Sequence, residues 1–192
     1  MIAANTHQPP NLAQDFVRYL TTLTEQDRGA KAALRHSLGF APGRYPAAFP
    51  YVERFVGNDR HTDDAWRKAL YLVAGLFSAH PAYQADRSFA TAFARLRLQR
   101  NSDSIEKRFI TLIAADPENI PNYLRQAVSL MAAEGIAFDY AALCNHLARW
   151  LNPWAQEQRD DLRQRWARDY YRALAPHEYS ETPISKPTPF SE

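Results

Sequence analysis

Apolar residues recur along the chain at intervals of three and four positions, and no stretch alternates apolar and polar residues as a half-buried strand does. The first helical segment carries its apolar positions at Leu12, Phe16, Tyr19, Leu20 and Leu23. The clearest segment has a buried side made of Trp66, Ala69, Leu70, Val73, Leu76 and Phe77. Because this spacing persists to residue 174, the pattern predicts an all-α protein of about eight or nine helices.

Prolines, glycines and short polar runs separate the predicted helices. Side chains suited to helix N-caps precede several of them: Thr24 or Asp27, and then Thr62, Ser88, Ser104 and Asp139. A polar break at residues 101–103 predicts two packed helical lobes, residues 12–100 and 104–174. The polar, proline-bearing ends, residues 1–11 and 175–192, are predicted to be disordered.

Residues 27–38 form a segment with two different sides when they are placed on a helix. Small and apolar residues occupy one side, whereas Arg28, Lys31 and Arg35 fall at i, i+3 and i+7 and form a basic stripe. No acidic residue lies between positions 28 and 52, so no neighbour in sequence neutralises this stripe. The stripe suits a polyanionic partner, and a solvated helix face would give the same pattern.

The overall composition says little about function, because the distribution of charge along the chain matters more than its sum. The 192 residues include 23 Lys and Arg against 21 Asp and Glu, a net charge of only +2. The single cysteine, Cys144, excludes an internal disulfide and a thiolate zinc cluster. The chain shows neither a signal-peptide pattern nor a run of about 18 apolar residues, so we expect a cytoplasmic protein without membrane contact.

The sequence offers no recognisable catalytic constellation. None of its six histidines belongs to a metal-binding pair. The phosphate-binding motifs GxGxxG and GxxxxGK(S/T) are absent, and so is the Gly-x-Ser-x-Gly motif of a nucleophile elbow. Cys144 and His146 would point about 200° apart on a helix, so they form no local dyad. We therefore expect no cofactor, no metal and no enzymatic activity. Most aromatic residues follow the helical core period, and Tyr45 and Phe49 are the least easily assigned to the core.

Several fragments, taken together and in order, resemble the CasB family, the small subunit of the type I-E CRISPR Cascade surveillance complex. The resemblance covers roughly residues 12–174. The fragments are Arg28-Gly29-Ala30-x-Ala32-Ala33-Leu34-Arg35, Trp66 with Tyr71-Leu72-Val73-Ala74-Gly75-Leu76-Phe77 and His80-Pro81, Ser104-Ile105-Glu106-Lys107-Arg108-Phe109, Leu124-Arg125-Gln126-x-Val128-Ser129-Leu130, Asp139-Tyr140 with Leu143 and Trp150, and Trp166-Ala167-Arg168-x-Tyr170-Tyr171. The chain departs from the family in its proline-bearing tail and in His36, where a basic residue is common.

The resemblance implies an all-helical, non-enzymatic subunit that pairs with a second copy of itself and contacts other Cascade proteins. Members of the family act in antiviral defence by helping to hold the guide RNA–target DNA assembly and the opened DNA strands, which implies contact with single-stranded and duplex DNA backbone. Because the guide reads sequence, such a subunit needs to bind only the backbone.

The resemblance assigns this contact to Arg28, Lys31 and Arg35 first, and then to Lys107 and Arg108 with Arg125. Arg44 and Arg100 are added only because of their positions in a loop and at a helix end, where a cation also complements the helix dipole. For Arg108 and Arg125, an inter-helix ion pair is the alternative. Whether these cations share one surface depends on how the helices dock.

Two other functions remain open from the sequence. In the first, the chain is a structural adaptor whose basic faces pair with acidic surfaces of protein subunits. In the second, it is a small helical hydrolase with an unfamiliar site, which a metal-dependence scan on generic phosphoester substrates would detect.

Overall fold

The computed structural model describes the backbone of residues 12–178 and the side chains of residues 12–175. Within this part of the chain, nine α-helices follow one another and no strand forms. They are α1 (Leu12–Gln26), α2 (Arg28–His36), α3 (Phe49–Val52), α4 (Ala65–Ala79), α5 (Phe89–Arg100), α6 (Asp103–Ile113), α7 (Ile120–Ala133), α8 (Tyr140–Trp150) and α9 (Gln156–Glu178). The predicted all-α fold is confirmed.

Most of the predicted N-caps are confirmed by side-chain hydrogen bonds. The Asp27 carboxylate accepts from the Ala30 amide at 2.8 Å, and Ser88 and Asp139 cap α5 and α8 in the same way. Asp64, rather than Thr62, caps α4, because its carboxylate accepts from the Arg67 amide at 3.0 Å. The cap of α6 is Ser102, since extended backbone at that residue places Ser104 inside the helix.

The last helix continues to Glu178, four residues beyond the end at 174 that the spacing predicts. The helical backbone continues through residues 175–178, and the disorder of residues 175–192 stays a prediction. The predictions for residues 1–11 and 179–192 lie outside the described residues.

One continuous apolar core runs through the described fold, with α4 at its centre. Twelve of the fifteen residues of α4 are buried, which explains its nearly uninterrupted apolar sequence. The most extensive contacts between helices join α4 to α8 and α5 to α9. Because both pairs link the first half of the chain to the second, the core crosses the boundary predicted at residues 101–103, and the two-lobe organisation stays a prediction.

Among the described helices, none combines the length and the apolar character needed to cross a bilayer.

Candidate nucleic-acid interface

The basic stripe lies on a helix that is held tightly against the central helix. In α2, Ala30 and Leu34 are fully buried, and α4 approaches at Gly75. A Cβ at Gly75 would come within 2.7 Å of Leu38 Cδ2 and 3.1 Å of the Leu34 carbonyl oxygen. Because Gly75 has no side chain, the two helices lie close together and the opposite face of α2 points outward.

Arg28, Lys31 and Arg35 line one side of a groove of about 820 Å³. Arg125 lines the other side from α7, together with Val128, Ser129 and Ala132. The end of α4 contributes Leu76 and Ala79 to the same groove. The structure thus places the three cations of α2 opposite a cation that lies 90 to 97 positions away in sequence.

The groove continues along α7 toward α6. Arg125 and Arg108 line an adjoining depression of about 550 Å³, and Arg108 also lines a groove of about 370 Å³ with Lys107. We call these three adjoining depressions the basic groove. Its cations are Arg28, Lys31, Arg35, Arg125, Arg108 and Lys107.

Within the described part of the chain, no carboxylate lines the basic groove, and none lies within 4.0 Å of a charged nitrogen of its six cations. The inter-helix ion pairs considered for Arg108 and Arg125 therefore do not form there. Arg125 instead donates from Nη1 to the Leu38 carbonyl oxygen at 3.1 Å. This hydrogen bond joins α7 to the short 3-10 turn that follows α2.

The other two predicted cations lie outside the basic groove and are paired. Arg44 is 3.1 Å from Asp63, and Arg100 is 2.8 Å from Glu134. Their carboxylate partners neutralise the local charge, so these two arginines have less charge to offer a polyanion. Their assignment to nucleic-acid contact stays a prediction.

No group of three or more His, Cys, Asp or Glu that could hold a metal ion occurs among the described residues. Burial raises the pKa of the Cys144 thiol. Burial likewise lowers the pKa of His146 to about 4, and its Nδ1 accepts from Trp166 Nε1 at 3.0 Å. Both groups are therefore uncharged near neutral pH. Cys144 belongs to the core, whereas His146 is partly buried beside Trp166.

A family model described as CRISPR-associated protein Cse2 matches residues 30–171. The chain belongs to the Cse2 family. A CRISPR-associated protein Cse2 from Thermus thermophilus is 42% identical over 166 residues, which are 85% of this chain and 92% of that protein. The resemblance to CasB inferred from the fragments is thereby confirmed, since Cse2 and CasB name the same family.

Two solved structures agree with this assignment. The crystal structure of M. ruber CasB superposes with a TM-score of 0.73 at 34% identity, over 89% of this chain and 98% of that one. A chain in a structure named CRISPR RNA-guided surveillance complex has the same fold, with a TM-score of 0.75 at 23% identity over 90% of this chain and 98% of that one.

Next to the basic groove of this Cse2-family chain, three aromatic side chains cluster on the surface. Phe40 stacks on Tyr45 with ring centroids 4.8 Å apart, and the His36 ring lies 5.1 Å from Tyr45. Phe49 packs edge-on against Tyr71 and is half-buried against the core. Sequence reasoning singled out Tyr45 but missed Phe40, although its place directly after the basic helix was a usable signal.

A buried arginine fixes the loop that carries these aromatic residues. Arg67 is only 7% exposed, and its guanidinium donates to Glu53 Oε1 at 2.6 Å and to the Gly43 carbonyl oxygen at 3.4 Å. Tyr71 also donates to Glu53 Oε1, at 2.6 Å. Gly43 has φ +79° and packs directly on the guanidinium, so a Cβ there would clash with Arg67.

The same network predicts a pH dependence of stability. Burial alone would raise the pKa of Glu53, but the hydrogen bonds from Tyr71 and Arg67 outweigh it and hold that pKa below its ordinary value. A carboxylate with a lowered pKa in the folded state stabilises the fold above its unfolded-state pKa, and this contribution is lost as the pH falls through the folded-state pKa. We expect Glu53→Gln to be less stable than the wild type at pH 7, with a gap that shrinks below about pH 4.5.

Urea unfolding at pH 7 and pH 3 measures that gap. Glu25→Gln, which changes an exposed carboxylate at the end of α1, is the matched control. A gap that stays constant or widens between pH 7 and pH 3 would contradict the role assigned to Glu53.

Proposed function

We propose that this chain is a non-catalytic small subunit of a type I-E CRISPR surveillance complex. In this role it binds nucleic-acid backbone without reading sequence and stabilises the DNA strands that guide pairing has opened. Its partners are other protein subunits of the complex, the guide RNA–target DNA assembly and a second copy of itself. The Cse2 family and the shared fold with a chain of an RNA-guided surveillance complex support this assignment.

The basic groove is the observation that carries the proposal. Six cations from α2, α6 and α7 line it, and no carboxylate of the described residues does so. The phosphate groups along a strand can contact such a row of arginines and lysines. Each contact favours binding because it releases a condensed counterion. Guide pairing supplies sequence recognition, so the subunit needs no side chains arranged to read base edges.

Replacing Arg28, Lys31 and Arg35 together with alanine tests the proposal. In the assembled complex, we expect affinity for single-stranded DNA to fall at least about tenfold at low salt. The slope of log affinity against log salt concentration should flatten by about 2, since each lost single-strand phosphate contact contributes ~0.7. Fluorescence anisotropy at several salt concentrations measures both quantities.

A control variant with the same change in net charge separates groove contacts from overall charge. Replacing Arg149, Arg168 and Arg172 with alanine removes three exposed cations of α8 and α9, outside the basic groove. We expect this variant to keep most of the wild-type affinity. Equal losses in the two variants, or none in the groove variant, would refute a backbone-binding groove.

Size-exclusion chromatography without DNA distinguishes a structural adaptor from a DNA-binding subunit. If the groove binds only acidic surfaces of protein subunits, the groove variant should leave the complex even when no DNA is present. If it binds DNA, the variant complex should assemble normally and differ only once DNA is added.

A further inference from the structure

An aromatic ring lies open to solvent beside the basic groove, where the core does not account for it. Phe40 is 47% exposed, and it stacks on Tyr45 with an interplanar angle of 23°. The His36 ring centroid lies 5.7 Å from the Phe40 centroid and 5.1 Å from the Tyr45 centroid. We call these three side chains the aromatic platform. Stacking on Tyr45 orients the Phe40 ring, so an additional flat ring would meet a surface that is already ordered.

The aromatic platform adjoins the basic groove directly. His36 lines the groove beside Arg35, and Phe40 lines a depression of about 380 Å³ together with Arg125. Leu38, Gly39 and Arg125 line both the depression and the groove, so the two are continuous. A strand whose phosphates follow the groove would therefore bring its bases within reach of Phe40.

The surroundings hold the aromatic platform in place on both sides. Arg125 donates to the Leu38 carbonyl oxygen two residues before Phe40. Arg67 donates to the Gly43 carbonyl oxygen between Phe40 and Tyr45. A loop anchored in this way presents Phe40 with little further loss of conformational freedom when a ligand binds.

We infer that the aromatic platform binds an unpaired DNA base by stacking against Phe40 while the basic groove holds the neighbouring phosphates. This inference rests on the proposed function and adds a preference to it. Phosphate contacts alone hold paired and unpaired strands, whereas stacking on a protein ring requires a base that has left the duplex. The platform thus favours the opened strand over the closed duplex, and it tolerates any sequence because every base has an aromatic face.

Two oligonucleotides of equal length separate stacking from phosphate binding. Oligothymidylate carries bases, whereas an abasic strand has the same phosphates and sugars without them. We expect the full chain to bind oligothymidylate about tenfold more tightly than the abasic strand. Phe40→Ala should reduce oligothymidylate affinity to the abasic level and leave the salt slope unchanged, because no phosphate contact is lost.

Two further substitutions test whether the aromatic ring of Phe40 causes the preference for oligothymidylate. Phe40→Tyr should keep the preference for oligothymidylate, whereas Phe40→Leu, which keeps apolar bulk without an aromatic face, should lose it. Trp154→Ala is the control for an exposed aromatic side chain elsewhere, since Trp154 is 92% exposed on the loop between α8 and α9. We expect this control to retain the preference, and thermal unfolding of each variant verifies that it is folded.

The outcomes distinguish failure of the platform from failure of the groove. Equal wild-type affinity for the two strands would overturn base stacking and leave the basic groove intact. Binding of neither strand would overturn the groove and the platform together. Tighter binding of oligouridylate than of oligothymidylate would overturn the assignment to DNA. Loss of complex assembly in Phe40→Ala without DNA would assign the ring to a protein partner.

Discussion

Replacement of Arg67 with alanine is expected to lower the free energy of unfolding by about 3 kcal/mol. The guanidinium is buried in α4 and donates to Glu53 and to the carbonyl oxygens of Gly43 and Thr62. Its removal leaves the two carbonyl oxygens without this donor and the Glu53 carboxylate without its cation, although Tyr71 still donates to Glu53. The Glu53 side chain is 43% exposed and can regain water, which places the cost at the lower end for a broken ion pair of this kind.

Urea unfolding, monitored by circular dichroism, measures this loss of stability. Two further variants serve as comparisons. Arg44→Ala removes an arginine whose ion pair with Asp63 is exposed on both sides, and it should cost less than about 1 kcal/mol. Arg67→Lys keeps the charge but cannot reproduce the planar fork, so it should recover only part of the stability. An Arg67→Ala variant as stable as Arg44→Ala would show that the network does not hold the loop.

The Arg67 variant also links the fold to the aromatic platform. Without the contact to Gly43, the loop that carries Phe40 and Tyr45 loses its anchor on α4. We therefore expect Arg67→Ala, at temperatures where it remains folded, to lose most of the preference for oligothymidylate over the abasic strand. Its affinity for the abasic strand should change little, because the cations of α2 are attached to a separate part of α4.

Replacement of Gly75 with leucine is expected to destabilise the protein by about 3 kcal/mol and to weaken DNA binding at the same time. Even a Cβ at this position would lie 2.7 Å from Leu38 Cδ2 and 3.1 Å from the Leu34 carbonyl oxygen. A leucine side chain must therefore push α2 away from α4. That movement separates the cations of α2 from Arg125 and opens the basic groove.

A second glycine in the same region gives the control. A Cβ at Gly39 would meet no atom within 4 Å, so Gly39→Ala should change stability by no more than about 0.5 kcal/mol. Urea unfolding compares the stability of the two variants. Because Gly39 itself lines the basic groove, DNA anisotropy compares Gly75→Leu with the wild type. If Gly75→Leu is as stable as Gly39→Ala and binds DNA as the wild type does, the close approach of α2 and α4 does not position the groove.

Much of the fold could be predicted from the sequence because its signals are short-range. Apolar residues three and four positions apart define one face of a helix, and an Asp or Ser before that face caps it within three residues. The predicted caps at Ser88 and Asp139 were therefore confirmed. The predictions of Thr62 and Ser104 as caps were wrong, because several polar residues lie near the start of each of those helices. Only the backbone conformation decides which of them is the cap.

In the candidate site, too, short-range features could be predicted from the sequence and long-range contacts could not. The basic stripe of Arg28, Lys31 and Arg35 depends only on the period of one helix, so its presence was readable in the sequence. The ion pairs of Arg44 and Arg100 were not readable, because Asp63 and Glu134 lie 19 and 34 positions away.

By itself, the sequence determined the all-helical fold, the basic stripe on α2 and membership of the Cse2 family, since each depends on local spacing or on the order of short fragments. Only the tertiary structure decided that the stripe faces Arg125 across a groove and that Phe40 lies beside it. Arg125 meets the turn that follows α2 through a hydrogen bond to Leu38, 87 positions away. Contacts of that range depend on how closely α2 packs on α4 and where α7 lies against both, and helical periodicity fixes neither.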